Sequence, residues 1–138
     1  MLKKIQKFLD LAGDHRNSQA KTEAILELMI LTMHADRSIK LAENDLIREF
    51  SEAVDWQSGT SISYFVDATI GKVRASLEKP ERLNALIVEI GNKLPSSTDK
   101  IQAIQACKDM AGSDEALDEK EAAFIRKLEA AFGLESSV

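Results

Sequence analysis

The chain has 138 residues, 44% of them apolar and 30% charged, with a formal net charge of −5. That is enough chain to bury a core as one domain, and too much apolar content for a disordered segment. The acidic balance argues against nucleic-acid binding, which needs a basic stripe for phosphates. No apolar run approaches the roughly 20 residues of a membrane span.

The charge is uneven along the chain. Lys3, Lys4, Lys7, Arg16 and Lys21 face only Asp10 and Asp14 near the start, whereas Asp109, Asp114, Glu115, Asp118, Glu119 and Glu121 crowd around a single lysine, Lys120. Such an acidic segment suits cations or a basic partner. Gln6, Lys7 and Asp10 interrupt any apolar stretch of a signal peptide, so a cytoplasmic address is expected. The single cysteine, Cys107, excludes an internal disulfide framework and, beside Ile104 and Met110 at helical spacing, reads as a small core residue.

Taken in order, Leu2, Ile5, Phe8, Leu9 and Ala12 recur at helical period, and Gly13-Asp14 ends that helix. Ser18 can cap a second helix running to about residue 35, whose apolar residues cover most of its circumference and predict a central position. Met29 and Met33 on it read first as gap-filling core and second as a pliable binding face. A third helix is expected over 41–56 with Leu46, Ile47, Phe50 and Val54 inward, and Trp56 at the core rim. After the turn Ser58-Gly59-Thr60 a fourth runs over 61–77, where Gly71 suggests a close helix–helix approach. Pro80 opens a fifth, with Leu83, Leu86, Ile87, Ile90 and Leu94 inward. Ile101, Ile104, Cys107 and Met110 mark the inward side of a sixth. Ala122, Phe124, Ile125, Leu128 and Phe132 mark a seventh, stopped by Gly133. The expectation is an all-α bundle of about seven helices in a single domain over residues 1–138.

The chain writes one motif twice. Asp36, two residues, Ile39, three residues, Glu43 is repeated as Asp114, Leu117, Glu121. Laying Asp36 over Asp114 also lays Leu26 over Ile104, Met29 over Cys107, Phe50 over Leu128 and Val54 over Phe132. Apolar character matched at so many positions implies one helix–loop–helix unit built twice, over about 21–57 and 98–134, related by a pseudo-two-fold axis. A helix pair over about 60–94 links the units.

Two such motifs, each following an apolar helix that ends Ala35 or Ala111, resemble the tellurite-resistance TerB-like family. The resemblance spans residues 21–134. It implies an all-helical bundle of about seven helices, association with tellurite and chemical-stress resistance, partners among other stress-resistance proteins, and no established enzymatic reaction. It also implies a proposed metal site at the acidic loops.

The residues themselves allow two readings of these loops. With Asp36 at position 5 of an EF-hand loop, Glu43 falls at position 12; Asp114 and Glu121 do the same, with Asp118 at position 9. Asp36, Glu43, Asp114, Asp118 and Glu121 are therefore the candidate metal ligands, for calcium or another divalent cation. Against a full calcium loop, the early ligand positions hold Thr32 and His34 in one copy and Met110 and Gly112 in the other. His34 could offer nitrogen to a transition metal, though one His beside one Asp is a thin constellation. Arg37 and Lys40 would repel a cation from the first loop, which favours the second. The competing reading is structural. Asp118 followed by Glu121 matches a capping box, and Asp36 and Asp114 can hold their loops through Asx-type hydrogen bonds. Turn and cap is the preferred reading.

Enzyme chemistry finds no support in the motifs: there is no Gly-rich phosphate loop, nucleophile elbow, HExxH or paired cysteine. The expected function is a non-enzymatic scaffold or interaction module. The alternative is a domain that binds another protein's helix through Met29, Met33 or an exposed groove.

Overall fold

A computed structural model describes residues 6–14, 16–35, 43–112 and 118–135, the side chains of Glu43 and Asn44 apart. Seven helices follow one another among these residues, with no strand: α1 (Gln6–Ala12), α2 (Gln19–Ala35), α3 (Glu43–Ala53), α4 (Ile62–Leu77), α5 (Pro80–Asn92), α6 (Ser97–Gly112) and α7 (Glu119–Ala131). The class is all-α, as the periodicity predicts. None of these helices is long and apolar enough to cross a membrane.

The core is built around α2. From Ala24 to Met33 every residue of this helix is buried, on all sides. A helix without a polar face has to sit in the middle, and α2 packs on α1, α4, α5 and α6. Met29 and Met33 both belong to this interior. The other helices are one-sided and close around it, contributing Phe8, Leu46, Phe50, Val66, Val73, Ile87, Ile90, Cys107, Ile125 and Leu128 to one apolar cluster. Trp56 lies at its rim, donating Nε1–H to the Thr60 carbonyl at 2.7 Å and tilting against the Phe65 ring at 5.3 Å.

Helix ends follow local chemistry. Ser18, Ser61 and Ser96 each accept a backbone N–H three residues on, from Lys21, Tyr64 and Asp99. Pro80 occupies the first turn of α5, where no N–H is needed. At the end of α7, Gly133 has φ 75°, and Leu134 N–H reaches Glu129 O at 2.8 Å while Gly133 N–H reaches Ala130 O at 3.2 Å. That is a Schellman closure, and the left-handed backbone there favours glycine. At the end of α1, Asn17 Nδ2 donates to the Leu11 and Ala12 carbonyls, the former also accepting the Asp14 N–H at 3.4 Å, so the last carbonyls of the helix are met.

The relation of α2 to α6 fixes where the acidic loops lie. Near their starts Lys21 Nζ meets Asp99 Oδ1 at 2.7 Å; near their ends Thr32 Oγ1 lies 3.3 Å from Cys107 Sγ. Contacts at both ends, in this order, require two helices side by side in the same direction. The offset that carries Asp36 onto Asp114 also carries Ser18 onto Ser96 and Lys21 onto Asp99, so the two caps correspond and the ion pair joins corresponding positions. The helices that follow do not repeat this correspondence. α7 packs on α6 and α5, whereas α3 packs chiefly on α1 and α4.

Two expectations need correction. Gly71 is exposed and faces open space, so no close approach explains it. Between α5 and α7 a close approach does occur at Gly91, where a Cβ would lie 2.7 Å from Phe132 Cδ1. Ile101 is 56% exposed rather than inward. Alanine at position 71 should raise stability by about 0.5–1 kcal/mol by removing backbone freedom within a helix. Alanine at 91 should lower it by about 1–3 kcal/mol, because α5 and α7 must part or Phe132 must leave its rotamer. Urea unfolding midpoints of the two variants would read these opposite signs, and equal effects would refute the assignment.

Candidate functional site at the acidic corners

Asp36 and Asp114 lie outside the described residues, as does the side chain of Glu43. Asp118 and Glu121 are described, and they hold each other. Asp118 Oδ1 accepts the Glu121 backbone N–H at 2.8 Å, and Glu121 Oε1 accepts the Asp118 backbone N–H at 2.9 Å. This is the reciprocal capping box. Each carboxylate thus commits an oxygen to the start of α7, where the helix dipole also favours negative charge. Among the described residues no three His, Cys, Asp or Glu side chains converge to hold a metal. The described part of the second corner is therefore a helix start. His34 is half-buried in the last turn of α2.

Asp118→Ala should cost about 1 kcal/mol, the usual loss of an N-cap. Glu121→Gln should cost far less, because the amide oxygen still accepts the Asp118 N–H. Thermal unfolding of the pair distinguishes them; a larger loss in Glu121→Gln would show that its charge does more than cap.

Because α2 and α6 run in the same direction, the helices leading into residues 36–42 and 113–117 end at the same end of the bundle. α1 begins there too: Lys7 Nζ pairs with Asp109 Oδ2 at 3.1 Å, close to the end of α6.

Three other features stand out among the described residues. First, Glu27 of α2 is buried, 1% exposed, and its two oxygens are met by Lys93 Nζ at 2.9 Å and Lys72 Nζ at 3.3 Å. Lys72 also reaches Glu89 at 3.3 Å, so α2, α4 and α5 are joined through one alternating network. Burial opposes the charged form of Lys72, but Glu27 and Glu89 outweigh it and hold its pKa above the ordinary lysine value. Second, an open cleft of about 660 Å³ between α1 and α3 is lined by Asp10, Asp14, Glu49 and Glu52. Hydrogen bonds from Arg16 keep Asp14 well below the usual carboxylate range. The sequence signal for this cleft was two acid pairs, Asp10 and Asp14 at and just after the end of α1 and Glu49 and Glu52 on α3, which no motif singles out. Third, a groove of about 490 Å³ runs between α6 and α7, with Ile101, Ile104 and Leu134 on its walls and Lys108, Glu129 and Glu135 around them.

Burial pushes the Cys107 thiol up to about 12, and the contact with Thr32 offsets this only in part. It is a core residue without nucleophilic character at neutral pH.

No family model matches the chain, and no curated protein or solved structure matches it either.

Proposed function

We propose that this chain is a non-enzymatic interaction module of the TerB-like kind, associated with tellurite and chemical-stress resistance, whose working surface is the corner-bearing end of the bundle. The observation that supports this reading is the parallel run of α2 and α6, joined by Lys21–Asp99 at one end and Thr32–Cys107 at the other. In that arrangement the helices that precede the two acidic motifs end at one end of the bundle, and on this reading a single partner meets both motifs. The equivalent serine caps and the ion pair between corresponding positions support an internal doubling behind it. On this reading the acidic charge of Asp36, Glu43 and Asp114 selects a partner, while Asp118 and Glu121 keep α7 in place.

The test is growth under tellurite of a host lacking its own copy of the gene, supplied with this chain or with an Asp36→Lys/Asp114→Lys variant of matched melting temperature. Restoration by the original chain and not by the variant is expected. Equal restoration by both would remove the corners from the working surface, and restoration by neither would remove the link to this stress.

A divalent cation at the corners is the second form of the reading, and calorimetry decides it. Calcium, magnesium, zinc and manganese titrated into chelator-treated protein should give heats close to those of dilution. A saturable heat lost in Asp36→Asn/Asp114→Asn would transfer the role of these carboxylates from partner selection to cation binding. Recognition of a partner's helix is less well served. Met29 and Met33 are enclosed in the core, so among the described residues that alternative rests on the groove beside Ile101.

A further inference from the structure

We draw no further inference here: the strongest candidate, the open cleft between α1 and α3 lined by Asp10, Asp14, Glu49 and Glu52, is a cluster of carboxylates with no second feature among the described residues that points to a ligand.

Discussion

Replacing Lys72 and Lys93 together by methionine should destabilise the protein by about 3–5 kcal/mol, the cost of stranding a buried charge without its partners. The lysines themselves keep considerable contact with water, at 45% and 28% side-chain exposure, so their own loss of charge is cheap. The cost arises at Glu27, whose side chain is 2% exposed and would be left in the core facing apolar atoms. Methionine keeps the length and helix propensity of lysine, which isolates the charge from packing. Two further readings separate this account from a general loss of fit. The triple variant that also carries Glu27→Met should recover most of the loss, since a buried ionic cluster replaced by apolar groups of similar size is often neutral or better. The deficit of the double variant should also shrink in acid, where the stranded carboxylate is neutralised. Urea midpoints at two pH values would show both. A double variant within 1 kcal/mol of the original protein would refute the account.

This network and the Lys21–Asp99 pair together give the pH profile a defined shape. Lys72 has a folded pKa raised above its ordinary 10.5, so its contribution is complete below the unfolded value and is lost as pH rises through the folded one. Asp99 behaves oppositely. Burial works against its carboxylate, but hydrogen bonds from Lys21 and Ser96 outweigh that and lower its pKa below 3.8. Its contribution is present above the unfolded value and is lost as pH falls through the folded one. Between these limits neither group titrates.

Which parts of this molecule could be read from sequence follows from the range of the forces involved. Helix periodicity, serine caps, Pro80 and Gly133 are local signals acting within a turn or two, and all seven helices follow from them. The central position of α2 was legible because its residues from Ala24 to Met33 leave no polar stripe to face water. Glu27 is the instructive exception. In sequence it reads as one acid in an apolar run, and only the lysines brought by α4 and α5 make its burial tolerable. Gly71 and Gly91 show the same limit from another side. Both stand inside helical patterns, yet whether glycine marks a close approach depends on the neighbour, and the ring of Phe132 is distant in sequence. At the acidic corners, Asp118 with Glu121 was legible because a capping box spans a single turn. The cleft between α1 and α3 was not, since its carboxylates meet only through tertiary packing.

Phe50→Ala is the other substitution from which a large loss is expected, about 3–5 kcal/mol. α3 is eleven residues long, shorter than an isolated helix can sustain in water. Its attachment rests on two fully buried side chains, Leu46 and Phe50, with Ile47, Ala53 and Val54 at the edge of the core. Phe50 is the larger anchor, and α3 meets α1 and α4 around it. Removing the ring leaves a void that the backbone can close only by shifting α3, and the Gly13 contact resists that shift. A Cβ at Gly13 would lie 2.8 Å from the Ala53 carbonyl oxygen, so the two backbones already approach closely where α1 and α3 end. The consequence should be local as well as global. Hydrogen exchange in Phe50→Ala should accelerate first over residues 43–53, while amides of α2 and α6 keep the protection set by global unfolding. Leu128→Ala, at the corresponding position on α7, should cost about 2–5 kcal/mol but leave α3 protected, because α7 is held by α5 and α6. If Phe50→Ala instead loosened α2 and α3 to the same degree, α3 would be part of the central cooperative unit and not a helix fastened onto it.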